Sequence, residues 1–242
     1  MAGGDGTINE TAAGMMHSEV PLAILPAGTA NVLAMEMKMG KRLEHIAEQL
    51  ADYVPRRVSV GCITFPVNGA SRYFLLMAGV GLDAHIVQNV SGPLKDRTGK
   101  FAYWVAGSGI LGKNLAQFEA EMNGQKYPCS FALLSKVRNY GGDFEIARNV
   151  TLFDDEFEAV LFEGKTSLGY VKYFAAMAMN RLAGMKGVNV LRTAHATLSP
   201  TGSDPVYVQV DGESVGQLPA VIEVVPGALT LMVPPQYAGA IS

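Results

Sequence analysis

The spacing of apolar positions changes character once along the chain. Over the first 55 residues apolar side chains recur at helical spacing or gather in short buried runs. From residue 56 onward they alternate with polar ones. In the first part, residues 7–16 suit a helix that leaves a glycine-rich turn, and Thr7 followed by Glu10 has capping-box spacing. Residues 20–26 form a short apolar run bounded by Pro21 and Pro26, which predicts a buried strand of a parallel sheet. Residues 30–39 and 41–53 predict two helices, the second carrying Leu43, Ile46, Ala47 and Leu50 on one face. Strand, loop and helix alternating in this way describe an α/β layer.

In the second part, strand-like runs cover residues 58–65, 73–78, 130–137, 158–162, 188–191, 206–210 and 220–225, many of them alternating as half-buried antiparallel strands do. Helical insertions are predicted at 83–90, 98–110 and 168–182. Residues 229–235 predict a last strand that returns to the first part. The expected organisation is therefore α/β plus β: residues 1–55 with 226–242 as an α/β nucleotide-type domain, and 56–225 as an antiparallel β-sandwich domain. No internal repeat and no low-complexity tract interrupts it.

Composition narrows the classes of function. The chain has 242 residues, 49% of them hydrophobic and only 17% charged, with a net charge of -3. Such a balance offers no basic field for nucleic acid. The longest apolar stretch, residues 101–112, is short of the ~20 residues that cross a bilayer. Cys62 and Cys129 stand far apart without a partner motif and read as buried reduced thiols of a cytoplasmic protein. His17, His45, His85 and His195 show no ligand spacing, and Met35, Met37 and Met39 read as packing.

Four stretches carry chemistry. In Gly3-Gly4-Asp5-Gly6-Thr7 the glycines let a backbone approach phosphate, the following helix start offers free N–H groups, and Thr7 adds a hydroxyl. Asp5 would repel phosphate, so it implies a cation-assisted site or an ordering contact; the plain alternative for the stretch is a tight turn with a cap. Leu25-Pro26-Ala27-Gly28-Thr29-Ala30-Asn31 repeats that design at the end of the next strand, which would put both turns at the ligand-binding edge of one sheet. In Val210-Asp211-Gly212-Glu213 two carboxylates flank a glycine, giving either a hairpin turn or a general base or metal-holding carboxylate. In Asp154-Asp155-Glu156 three adjacent acids suit either a hard cation or a solvated loop.

Together these stretches resemble the bacterial lipid kinases with a diacylglycerol kinase catalytic domain, kin to sphingosine kinases. The resemblance rests on Gly3 to Glu10, Pro26 to Asn31, Gly79-Val80-Gly81-Leu82-Asp83-Ala84, Gly141-Gly142 leading to Asp154-Asp155, and Asp211-Gly212-Glu213, in matching order over nearly the whole chain. It implies an NAD-kinase-like α/β nucleotide domain, a following β-sandwich, and an active site in the cleft. It implies ATP held by Gly3, Gly4, Asp5, Gly6, Thr7, Ile8 and Asn9 together with Thr29. It implies a structural Mg²⁺ held by Asp155 and the carbonyls of Leu152 and Phe157, and a catalytic base at Glu213 or Asp211, with Glu213 the preferred choice. The implied reaction passes the ATP γ-phosphate to a lipid hydroxyl such as that of diacylglycerol. The partner expectations are a lipid substrate, peripheral membrane contact and a homodimer. Two alternatives remain open: a kinase acting on NAD, and a non-catalytic remnant that binds lipid or a partner.

Three departures accompany the resemblance. Val32 stands where many members have Asp, Asp155-Glu156 stands where they read Asp-Gly, and members begin well upstream of Met1. The nucleotide domain is accordingly expected to be truncated, with its first strands absent, and the isolated chain to be weakly active or inactive. The cations and aromatics of Lys95 to Trp104 suit either anionic lipid headgroups or a helix start with its rings in the core.

Overall fold

A computed structural model describes residues 1–40, 42–82, 84, 114–140, 144–170, 172–173, 176, 181–182 and 184–239. Apart from Ala84, the predicted helices at 83–90 and 98–110 lie outside the described residues, as do Asp83, the Gly141-Gly142 turn and the Lys95 to Trp104 segment. Part of the 168–182 prediction does too.

The N-terminal part is small. β1 (Ala2–Gly3) runs parallel to β2 (Leu25–Pro26), with Gly3 opposite Pro26. α1 (Asp5–Gly14), α2 (Val32–Glu36) and α3 (Leu43–Gln49) pack beside this pair, and a 3-10 turn at Leu50–Asp52 ends the layer. The strand preceding the glycine turn is thus present as two residues, and the predicted strand at 20–26 shortens to β2. α1 starts two residues earlier than expected. Its N-cap is Gly4, with no side-chain capping bond, so the Thr7–Glu10 capping box does not form. α2 begins at Val32 because Asn31 takes a left-handed conformation, φ 49°, and ends the turn before it.

The remainder forms two six-stranded sheets. One contains β3 (Val54–Phe65), β4 (Ala70–Phe74), β6 (Phe118–Met122), β7 (Gln125–Cys129), β13 (His195–Pro200) and β16 (Ala220–Val233), in the order β4-β3-β16-β13-β6-β7. The other contains β5 (Met77–Gly81), β8 (Phe131–Ser135), β11 (Phe157–Phe162), β12 (Val188–Thr193), β14 (Tyr207–Val210) and β15 (Glu213–Gln217), in the order β12-β11-β8-β5-β14-β15. Every pairing within the two sheets is antiparallel. A short ribbon of β9 (Asn139–Tyr140) and β10 (Phe144–Glu145) and a final turn of helix, α4 (Pro235–Ala238), complete the described elements.

One apolar core lies between the sheets, where Ile63, Phe74, Val80, Phe118, Leu134, Phe157, Leu198 and Ile222 meet. A second cluster joins Ile8, Leu22, Ile24, Leu33 and Ile46 of the N-terminal part to Val58, Val60, Leu229 and Leu231 of the long strands β3 and β16. The predicted last strand is the far end of β16, continuous with the run at 220–225 across a register shift between Val225 and Leu229. Its Leu231 bridges Leu22 in parallel, which stitches the N-terminal part onto the sandwich. The predicted strand at 73–78 divides into β4 and β5 as the chain crosses between sheets. Four strands of the two large sheets escaped the sequence pattern, β6, β7, β13 and β15, as did the short β9–β10 ribbon. Pro128 hid β7, which lies at a sheet edge, where a missing N–H leaves no ladder bond unmade.

Candidate functional site

The two glycine turns touch. Ala27 N donates to Gly3 O at 3.0 Å, and a Cβ placed on Gly28 would stand 2.5 Å from the Gly4 Cα. No side chain fits there, so glycine is required by contact rather than by flexibility. The second turn is pinned by Asn31, whose Oδ1 accepts from Gly28 N at 2.8 Å and whose Nδ2 donates to Gly28 O at 2.7 Å. Asp5 closes the assembly. Its carboxylate accepts from Val32 N at 3.1 Å and Leu33 N at 3.3 Å, capping α2 from the far side of the turn. Asp5 therefore makes the ordering contact, and no cation is needed to explain its presence.

What remains for a ligand is the first turn of α1 and the open side of both loops. Thr7 and Thr29 are exposed, while Ile8 and Asn9 are buried. Asn9 Oδ1 has no hydrogen-bond partner among the described residues. The N–H groups that open a ten-residue helix have no partner within it, and they bring a positive dipole end to the same place.

Across from this cradle stands the β14–β15 hairpin. Asp211 and Gly212 both have positive φ, 48° and 85°, as a two-residue type I′ turn requires. The ordinary hairpin reading of Asp-Gly is therefore correct, and the two carboxylates diverge in role around it. The Asp211 carboxyl turns inward and accepts from Leu75, Leu76 and Met77 N at 2.8, 2.9 and 2.9 Å. These bonds hold the chain where it passes from β4 to β5. Burial pushes the Asp211 carboxyl up to about 6, against the opposing effect of the three N–H groups and with a further push from the Asp5 carboxylate. Glu213 turns toward the cradle: a Cβ on Gly6 would lie 3.4 Å from Glu213 Oε1. Glu213 also forms a half-exposed ion pair with Arg72. The Asp5-Gly6 turn and the Asp211-Gly212-Glu213 hairpin, far apart in sequence, thus stand beside each other.

The acidic stretch lies elsewhere and is densely bonded. Asp154 accepts from Thr151 N at 2.7 Å and Thr151 Oγ1 at 2.6 Å, and Arg192 bridges Asp154 at 2.6 Å and Glu156 at 2.8 Å. Burial alone would raise Asp154; the bonds from Thr151 and Arg192 outweigh it and hold the carboxyl below its usual range. Asp155 Oδ1 accepts from Ser59 Oγ at 2.6 Å, and Leu152 O accepts from Ser59 N at 2.9 Å. Phe157 is fully buried at the start of β11. The Lys136 ammonium, wholly inaccessible, donates to the carbonyls of Asp154 and Glu156. Burial pulls this lysine down to about 8, with the neighbouring carboxylates of Asp154, Asp155 and Glu156 pushing back. Among the described residues no group of three or more His, Cys, Asp or Glu is disposed to hold a metal.

Sequence reading missed Arg72, Lys136, Arg192, Ser59 and Glu36. Glu36 is buried and accepts from Arg138 N at 3.0 Å and Tyr237 Oη at 3.0 Å, which ties α2 to α4 and to the start of β9. An acid in an apolar helical stretch was the available signal for Glu36. Lys136, a lone charge inside the apolar run 130–137, offered a signal of the same kind; for Arg72, Arg192 and Ser59 nothing in the local pattern marks a site. Among the described residues no helix is long and apolar enough to cross a membrane.

Residues 1–63 match the diacylglycerol kinase catalytic domain, and residues 77–233 match the YegS C-terminal NAD kinase beta sandwich-like domain. A diacylglycerol kinase of Bacillus subtilis is 28% identical over 90% of this chain and 71% of its own length. An uncharacterized protein of Synechocystis is 24% identical over 96% of this chain, which spans 54% of that protein. The crystal structure of a diacylglycerol kinase from Bacillus anthracis superposes with a TM-score of 0.74 at 19% identity, covering 97% of this chain and 77% of the other, a likeness of fold.

Proposed function

Because the chain belongs to the family that joins a diacylglycerol kinase catalytic domain to a YegS-type β-sandwich, we infer that it transfers the γ-phosphate of ATP to a lipid hydroxyl, such as that of diacylglycerol. The observation that carries this reading is the Glu213 carboxylate at the mouth of a glycine cradle built on a helix N-terminus. In this reading Gly3 to Asn9 and Thr29 receive the triphosphate of MgATP, which arrives as substrate. The free N–H groups of α1 take up charge on the phosphates. Residues 1–55 and 226–242 serve the nucleotide, and 56–225 supplies the acid and the acceptor side.

The acceptor oxygen forms a bond to Pγ while the bond from Pγ to the β,γ-bridging oxygen breaks. Its proton passes to Glu213, and ADP departs. Glu213 is favoured over Asp211 because it is half exposed and holds one flexible partner, Arg72, whereas three backbone N–H groups engage the Asp211 carboxyl. Asp211 instead holds the chain at residues 75–77. Membrane contact belongs to the same reading, since the acceptor resides in a bilayer.

The deciding experiment incubates the purified chain with radiolabelled ATP and either diacylglycerol in mixed micelles or NAD. Label in lipid, absent from NAD and lost in Glu213→Gln, is the expected result. Label in NAD, or equal lipid labelling by wild type and variant, overturns the assignment.

A further inference from the structure

The acidic loop at 151–157 is where the family resemblance puts a divalent ion, and the residues present do not fit one. Of the three expected ligands, two are engaged by a single buried serine: Ser59 N donates to Leu152 O at 2.9 Å and Ser59 Oγ donates to Asp155 Oδ1 at 2.6 Å. Gly227 N in turn donates to Ser59 Oγ at 3.2 Å, so the serine hydroxyl is oriented toward the acid by the backbone of β16. Meanwhile the carbonyls of Asp154 and Glu156 converge on a cation that the chain itself supplies. Lys136 follows directly on β8, its backbone N held by Leu76 O at 2.8 Å, and its ammonium reaches both carbonyls from the interior. Arg192 lies on the outer side, bonded to the carboxylates of Asp154 and Glu156 and to Asn149 O at 2.6 Å.

Mg²⁺ requires near-octahedral oxygen ligands at about 2.0–2.1 Å and keeps several waters. An ammonium already bonded to the two loop carbonyls that alternate with the expected ligands, with a guanidinium beside it, repels such an ion. The sequence departure from Asp-Gly to Asp155-Glu156 belongs to the same arrangement, since the Glu156 carboxylate holds Arg192 against the loop.

We propose that the Lys136 ammonium is the ordering cation of the 151–157 loop, which therefore requires no divalent ion. This does not rest on the lipid kinase reading, and its test reads no turnover. The full chain, freed of metal by chelation and without nucleotide, is melted in EDTA and in millimolar MgCl₂, and is titrated with Mn²⁺ followed by electron paramagnetic resonance. The wild-type melting temperature is expected to be the same in both buffers, with no bound Mn²⁺ that Asp155→Asn removes. Lys136→Met, which keeps the stem and deletes the charge, is expected to melt about 6 °C lower or more, as loss of one partner of a buried ionic cluster implies. Wild-type Mn²⁺ binding that disappears in Asp155→Asn overturns the proposal, as does a Lys136→Met variant that melts with wild type. Should Lys136→Met fail to fold, the wild-type Mn²⁺ titration decides alone.

Discussion

Two acidic groups in this molecule have opposite histories. Asp154, Asp155 and Glu156 are neighbours in sequence, and the fold surrounds them with Lys136, Arg192, Ser59 and Thr151. Asp5 and the Asp211–Glu213 hairpin come from distant segments, and the fold brings them side by side, with Arg72 bonded to Glu213. In the first group neighbouring side chains engage all three acids, and Glu156, as open as Glu213, faces Arg192 rather than the cradle. In the second, two acids are spent on backbone N–H groups and the third, Glu213, stays half open. A run of acids is therefore a poor guide to reactivity. What matters is which donors each carboxylate satisfies and what it faces.

The contrast is broken most directly at Glu213. Glu213→Gln is expected to lower phosphoryl transfer about 100- to 10,000-fold, the usual weight of a general base, with an unchanged thermal melt. An equally large fall in stability would move Glu213 into the structural group. Next in size is Lys136→Met, which leaves loop carbonyls and carboxylates without their buried cation and should cost about 3–5 kcal/mol in urea denaturation. Gly28→Ala drives a methyl against the Gly4 Cα and should cost about 1–3 kcal/mol, the range for overpacking, while weakening nucleotide binding measured by calorimetry.

Asp211 sharpens the comparison through pH. Its folded-state value of about 6 lies above the ordinary 3.8, so the native state binds its proton more tightly than the unfolded chain does. That contribution to stability is full below about pH 4 and is lost as pH rises through about 6. Asp211→Asn should flatten this slope, and denaturation at a series of pH values checks it. The variant should also cost about 1–3 kcal/mol near neutrality, because Leu75 N loses its acceptor. The smallest effect is expected for Arg72→Ala: the half-exposed pair with Glu213 is worth about 0.2–1 kcal/mol, which a double-mutant cycle can resolve.

Much of the fold was legible because burial imposes periodicity. β8 and β11 sit where their apolar runs predicted, and the sandwich follows from alternation sustained over the second part of the chain. The glycine turns were legible for another reason: backbone contact at Gly4 and Gly28 excludes every other side chain, so the need is written as composition. Boundaries were less legible. The break at residues 75–77 depends on Asp211, more than 130 positions away, and no local pattern contains it.

Read alone, the sequence determined the order of layers, the two glycine cradles, the Asp-Gly hairpin and the acids worth watching, since each follows from local backbone geometry or from the period of burial. Only the tertiary structure decided which acids remain available. That Asp5 caps α2, that Asp211 holds a strand crossing, that Lys136 fills the acidic loop and that Glu213 faces the cradle are all outcomes of contacts between distant segments. A carboxylate's role is set by the donors around it in space, and those donors are brought to it by packing.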